Sequence, residues 1–243
     1  MTLVAVGAVG FLLGLAAHDI ALQALSEGNS LRPLVGVCRR CGSRRGRHVL
    51  RCPSCGLLAW RELVVVITTA SAAVAFYWAV GASWELIPYL GFLFLSAALV
   101  ITDLEVFRLV DRLNIPGTVL LVVALTAASL ISGNVADLVR GLAGAAAYLA
   151  GSSLVFMAVR GKGFGFGDVK LSVQLGLFTA YLSWGTLGWA VFGTAVIGGV
   201  VAGIMLLIGG AGLKTELPYG PAMILGAWTA IAMVGVGAIP ISS

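Results

Sequence analysis

Long apolar runs separated by short polar stretches dominate the chain. The runs cover residues 3–25, 63–80, 86–102, 117–132, 138–159, 169–184, 187–209 and 219–239. Most approach the roughly 20 residues that an α-helix needs to cross the hydrocarbon core of a bilayer. Helices let single segments satisfy their own backbone hydrogen bonds in lipid. The pattern therefore predicts an all-α fold, a polytopic transmembrane bundle of about eight spans.

Composition favours a membrane protein over an ordinary soluble domain. The chain has 243 residues, of which 60% are hydrophobic and 10% charged, and its mean hydropathy is +1.05. Soluble domains carry about 25% charged residues. The net charge of +5 does not indicate a nucleic-acid partner, because most of the positive charge lies in one loop between the first two runs. The composition therefore predicts that membrane lipid surrounds the protein.

That loop, residues 26–61, is the only sizeable polar segment. It is rich in arginine and holds all four cysteines of the chain, Cys38, Cys41, Cys52 and Cys55. Two CxxC pairs at this separation can close a tetrahedral four-cysteine zinc site, which would be structural because no coordination position stays open. Four unliganded thiols or two disulfides are the alternatives.

The distribution of lysine and arginine orients the predicted spans. With the cysteine-rich loop on the cytoplasmic side and eight alternating spans, nearly all basic residues fall inside and only Arg140 falls outside. This is the asymmetry that the positive-inside rule describes. The predicted organisation is a first span at 1–25, a cytoplasmic zinc domain at 26–61 and a transmembrane bundle at 62–243, with both termini outside.

Two aspartates lie where apolar runs end or begin. Asp103 ends the run 86–102, and Asp168 begins the run 169–184 directly after three alternating glycines. Ionisable residues at the edge of a span are functional candidates by default. Two spans separate these aspartates, so both emerge on the predicted cytoplasmic side at similar depth. A close carboxylate pair can hold one proton while it activates water, as acid/base peptide hydrolysis requires.

Other candidate groups in the chain have ordinary structural interpretations. Glu105 and Asp111 are interpreted as plain loop residues, and Pro116 suits the first position of the span that begins at 117. His18 is interpreted as a packed or helix-end histidine. No GxSxG, HExxH or P-loop motif is present, so the serine, zinc-protease and nucleotide-binding classes are disfavoured.

Four motifs resemble those of the bacterial type IV prepilin peptidases, membrane aspartyl proteases with a GxGD motif. Residues 165–171 (GFGDVKL) match that family's GxGDxKL at every fixed position. Residues 102–104 (TDL), with Asp111 eight residues after Asp103, are similar to its first aspartate motif. Residues 218–221 (PYGP) are similar to the P[FY]GP that opens its last span, and the four-cysteine loop is similar to its cytoplasmic domain.

The resemblance implies that Asp103 and Asp168 are the catalytic pair. It implies that Gly165 and Gly167 let a substrate backbone approach, and that Lys170 in the same substrate-binding loop biases the nearby aspartate towards its charged form. The implied substrate is a type IV pilin-like precursor. Its short basic leader would be removed on the cytoplasmic side of the bacterial inner membrane.

Some positions depart from the family pattern. Val110 stands where the family has proline, the first span reads GLAAH rather than GSFLN, and the two cysteine pairs are closer together. Many cysteine-containing relatives also N-methylate the new N-terminus with S-adenosylmethionine, and these departures leave that second activity open. The rival hypotheses are a non-enzymatic membrane transporter or assembly protein with a docking zinc loop, and an inactive or altered-specificity relative.

Overall fold

The described part of the protein consists of helices. A computed structural model describes residues 2–26, 60–106, 109–160, 164–207 and 219–240. In chain order the helices are α1 (Thr2–Ser26), α2 (Trp60–Val80), α3 (Leu86–Val106), α4 (Asp111–Ser132), α5 (Val135–Val159), α6 (Phe166–Leu182), α7 (Trp184–Leu207) and α8 (Gly220–Gly235). Each predicted apolar run corresponds to one helix, so the all-α prediction is confirmed for these ranges.

The predicted zinc domain falls almost entirely outside the residues that the structure describes. Cys38, Cys41, Cys52 and Cys55 all lie between the end of α1 and the start of α2. The four-cysteine zinc site therefore stays a prediction.

Six of the helices are long and apolar enough to cross a membrane within the described ranges. The two that fall short are α6, with 17 residues, and α8, with 16. In α6 nearly every side chain is buried, so this helix is enclosed by its neighbours rather than by lipid. The chain is a multi-pass membrane protein. The prediction of about eight spans, several of them short, agrees with eight helices in the described ranges, six of which are long and apolar enough to cross a membrane.

Helix α4 begins earlier than its apolar run suggested. The carbonyl of Val110 accepts the N–H groups of Leu113 and Asn114, both at 3.0 Å, so the first turn already includes Asp111. Pro116 then lies inside the helix rather than at its start. A proline in the second turn removes one backbone hydrogen bond. The interpretation of Asp111 as a plain loop residue was wrong, because this side chain is held at a helix N-terminus.

Glycines bring several helices to backbone contact. A methyl group added to Gly144 of α5 would lie 2.1 Å from Cβ of Ala180 in α6, and one added to Gly176 would lie 2.6 Å from the carbonyl oxygen of Gly144. The same close approach joins α7 and α8 at Gly193 and Gly226. Small residues let transmembrane helices gain van der Waals contact that larger side chains would prevent.

An aromatic cluster fixes α3 in the centre of the bundle. The rings of Phe92 and Phe178 stack at 4.6 Å, and Tyr89 meets Phe178 edge to face at 5.0 Å. The Tyr89 hydroxyl donates to the carbonyl of Phe178 at 2.7 Å. These contacts join α3 to α6, the two helices that carry Asp103 and Asp168.

Candidate active site

Asp103 extends from the last part of α3 into the interior. Its side chain is 4% exposed, and its neighbour Thr102 is completely buried with its hydroxyl bonded to the carbonyl of Leu99 at 2.9 Å. Within the described residues, Oδ2 of Asp103 has no hydrogen-bond partner. A buried carboxylate oxygen without a donor is costly, which makes Asp103 a candidate for a functional role.

Asp168 lies in the first turn of α6, and the preceding loop holds its carboxylate. The N–H of Gly165 donates to Oδ2 of Asp168 at 2.9 Å, while the N–H of Asp168 donates to the carbonyl of Gly165 at 3.1 Å. This is the acidic half of a capping box. The other half is missing because a glycine has no side chain that could accept a backbone N–H. Asp168 is 6% exposed.

The two carboxylates converge on Gly220 at the start of α8. A methyl group added to Gly220 would lie 2.8 Å from Oδ2 of Asp103 and 3.5 Å from Oδ1 of Asp168. Both aspartates therefore lie close to the same backbone position, and the lack of a side chain at Gly220 permits this approach. The sequence had placed the two aspartates on one side of the membrane without a distance, and the fold brings them together.

The glycines before Asp168 differ from each other in their surroundings. Gly165 is exposed, and the nearest atom to a methyl group added there would be Oδ2 of Asp168 at 3.3 Å. At Gly167 the added group would meet the side chain of Leu109 at 3.0 Å. Gly165 thus borders open space, as a substrate-approach position requires. Gly167 instead admits Leu109 of the same chain.

Lys170 forms an ion pair that the sequence did not indicate. Its ammonium lies 2.6 Å from Oδ2 of Asp111 and 4.9 Å from the centre of the Phe166 ring. The partner that the structure gives to Lys170 is therefore Asp111 on α4, whereas the resemblance implied Asp168. One turn further along, Gln174 donates to Oδ1 of Asn114 at 3.0 Å, and both side chains are buried. These contacts hold α6 against α4 just behind Asp168.

A second buried carboxylate cluster lies at the opposite end of the bundle. Glu85, which precedes α3, is 2% exposed, and its Oε1 accepts from Asn134 at 2.9 Å and from the Tyr181 hydroxyl at 3.3 Å. The hydroxyl of Ser129 donates to Tyr181 at 3.0 Å. Burial raises the pKa of Glu85, but hydrogen bonds from its own backbone and from Asn134 outweigh this and hold the pKa below its usual value.

Arg140 completes that end of the bundle. It pairs with Asp137 at 2.8 Å and donates to the carbonyls of Ala180 and Leu182 at 2.8 and 3.0 Å, with a further contact to the carbonyl of Tyr181. A cation at the C-terminal carbonyls of a helix satisfies acceptors that have no partner within the helix. The sequence offered no signal for this cluster, since its members are single polar residues at the ends of separate helices.

Comparison with known protein families now supplies the class to which this site belongs. Residues 90–208 match the family model of the type IV leader peptidase family, Peptidase_A24. This segment holds Asp103, Asp168 and the glycine loop, by which we mean residues 164–167 directly before Asp168. This match assigns residues 90–208 to the type IV leader peptidase family, which the motifs had suggested. No curated protein and no solved structure matches the chain.

Proposed function

We propose that this protein is an aspartic endopeptidase that removes the short leader of type IV pilin-like precursors at the cytoplasmic face of the bacterial inner membrane. The match of residues 90–208 to the type IV leader peptidase family supports a peptidase acting on leaders. The observation that supports the aspartic mechanism is the convergence of Asp103 and Asp168 on the backbone of Gly220. Two carboxylates around one small space match the requirements of water-mediated peptide hydrolysis.

In the proposed reaction, one carboxylate takes a proton from water as the water oxygen attacks the carbonyl carbon of the scissile peptide. The other carboxyl group, protonated at the outset, stabilises the oxygen of the resulting tetrahedral intermediate. The C–N bond then breaks, and the leaving nitrogen takes up a proton from the pair. Overall the hydroxyl of water joins the carbonyl carbon and its hydrogen joins the amine, so no cofactor is consumed.

The surroundings of the two carboxylates suggest how they divide the work. Asp168 accepts the N–H of Gly165, and a donated N–H favours the ionised form of a carboxylate. Oδ2 of Asp103 has no partner that meets hydrogen-bond geometry among the described residues, and only the backbone of Gly220 among them interacts with this carboxylate as a donor. Asp168 is therefore the proposed base, and Asp103 the proposed carrier of the proton.

The first test measures cleavage of a pilin-type precursor in membranes that contain Asp103→Asn or Asp168→Asn. Either change removes half of the acid/base pair without changing side-chain size, and we expect a loss of about 10²- to 10⁴-fold in the cleavage rate. Asp137→Asn is the matched control, because Asp137 pairs with Arg140 at the opposite end of the bundle. Normal processing by both active-site variants would overturn the proposal and favour a non-enzymatic transporter or assembly protein.

The zinc site is a separate proposal that rests on the spacing of Cys38, Cys41, Cys52 and Cys55. Metal analysis of the protein purified under reducing conditions should find about one zinc per chain, as one four-cysteine site requires. Absence of zinc would favour free thiols or disulfides. Methylation of the new N-terminus by S-adenosylmethionine is tested in the same preparation by following transfer of a labelled methyl group to the cleaved product.

A further inference from the structure

We propose that Tyr219 is a positioning residue that holds the glycine loop before Asp168 against the start of α8. Through this contact it fixes the position of Asp168 relative to Asp103. The inference rests on the proposed peptidase function and extends it to a residue outside the acid/base pair. Two contacts of the Tyr219 ring and the attachment of its backbone to α8 carry it.

The first contact joins the ring to α7. A methyl group added to Gly198 would lie 2.8 Å from Cε2 of Tyr219, with Cζ and Cδ2 at 3.4 and 3.5 Å. The ring therefore lies against the backbone of α7 at a position where only a glycine leaves enough room. At the next residue, Gly199, an added methyl group would meet nothing within 4 Å. The two adjacent glycines thus differ only in whether they face the ring.

The second contact joins the same ring to the glycine loop. Phe164 meets Tyr219 edge to face, with the ring centres 5.3 Å apart, and Phe164 is 8% exposed. Aromatic pairs of this geometry attract each other beyond the effect of the area they bury. Phe164 directly precedes Gly165, whose N–H holds the Asp168 carboxylate. A shift of Phe164 would therefore move the donor that positions Asp168.

The attachment to α8 lies on the other side of Tyr219 in the chain. Gly220 follows it directly and borders both carboxylates. The carbonyl of Tyr219 accepts the N–H of Met223 at 3.2 Å, which ties the residue to the first turn of α8. Gly193 and Gly226 hold α7 and α8 in close contact further along. One ring, supported by α7, thus links the loop of Asp168 to the residue between the two aspartates.

This arrangement predicts that the ring matters and its hydroxyl does not. Tyr219→Phe should cleave precursor at the wild-type rate, whereas Tyr219→Ala should lower kcat by about 10- to 100-fold with little change in KM, since small misplacements of catalytic groups carry penalties of this size. Gly198→Ala should cause a similar loss because its methyl group displaces the ring. Gly199→Ala, the matched control on the same helix, should behave as wild type.

A double variant separates displacement of the ring from general damage to α7. In the Tyr219→Ala background there is no ring for a methyl group at 198 to meet, so adding Gly198→Ala should lower kcat by less than about 2-fold further. Full additivity of the two losses would overturn the inference, and so would wild-type cleavage by Tyr219→Ala.

Hydrogen exchange supplies a readout that does not depend on activity. Amides in the peptide covering 164–169 should exchange faster in Tyr219→Ala and Gly198→Ala than in wild type, and at the wild-type rate in Tyr219→Phe and Gly199→Ala. Unchanged exchange in Tyr219→Ala would overturn the inference. Normal cleavage by Asp168→Asn would instead overturn the proposed function, and the exchange result would then decide by itself whether Tyr219 braces the loop.

Discussion

Carboxylates are buried at both ends of the bundle, but the groups that surround them differ. At the dyad end, which holds Asp103 and Asp168, two carboxylates border one space beside Gly220. At the far end, which holds Glu85, a single carboxylate accepts from Asn134 and Tyr181. Donors from two other elements surround Glu85, whereas the nearest neighbours of the paired aspartates are a glycine backbone and each other.

This difference shows what marks a reactive site in this fold. An unpaired oxygen alone does not, because Oε2 of Glu85 also lacks a partner that meets hydrogen-bond geometry. The distinguishing feature is the second carboxylate, since Asp103 and Asp168 both lie close to the backbone of Gly220. Under the proposed function, the far end holds a charge in place and the dyad end is where water and a peptide would react.

Filling the space at the dyad end should have the largest effect. Gly220→Ala would place a methyl group 2.8 Å from Oδ2 of Asp103, so the aspartates or the attacking water must shift, and we expect cleavage to fall by about 10²-fold. The control is Gly203→Ala on α7, where an added methyl group meets nothing within 4 Å. Equal activity of the two variants would show that the space is not used.

Removing the carboxylate at the far end should affect stability rather than chemistry. Glu85→Ala removes the acceptor of the buried Tyr181 hydroxyl and of the more exposed Asn134 amide. This change should lower the free energy of unfolding by about 1–3 kcal/mol. Glu85→Gln keeps the acceptor and should cost about 1 kcal/mol. Denaturation in detergent measures both values. A loss of cleavage larger than the loss of folded protein would show that the far end takes part in catalysis.

The same residue gives the far end a defined pH dependence. The pKa of Glu85 is lower in the folded protein than its usual value. Its stabilising contribution is therefore complete above the usual glutamate pKa and is lost as the pH falls through the lowered, folded-state pKa. Stability of the Glu85→Gln variant should lack this component of the acid sensitivity.

The smallest effect is expected for the ion pair between Asp111 and Lys170. The Asp111 side chain is 54% exposed and that of Lys170 28%, so solvent screens the pair, and Asp111→Asn should cost no more than about 1 kcal/mol. Lys170→Met distinguishes two roles for the lysine. A higher KM in Lys170→Met but not in Asp111→Asn would support the substrate-binding role, whereas matching small effects would limit Lys170 to holding α6 against α4.

Much of the fold could be predicted from the length of apolar sequence that a helix needs to cross a bilayer. A span needs a run of apolar residues, so each helix left a visible pattern, and the eight helix positions were predicted to within a few residues except at α4. That helix starts at Asp111 because the carbonyl of Val110 accepts the N–H groups of Leu113 and Asn114. Hydropathy does not reveal these local hydrogen bonds. Hydropathy also did not reveal that other helices enclose α6, because enclosure is a property of packing.

The candidate site divides in the same way. The sequence alone determined the candidate catalytic residues, because Asp103 and Asp168 stand out as charges at the edges of apolar runs and lie in recognisable motifs. Only the tertiary structure decided that both meet at Gly220, that Lys170 pairs with Asp111, and that Tyr219 touches Phe164. Such contacts join residues far apart in the chain, and they depend on the distances between helices, which packing of side chains and glycines sets.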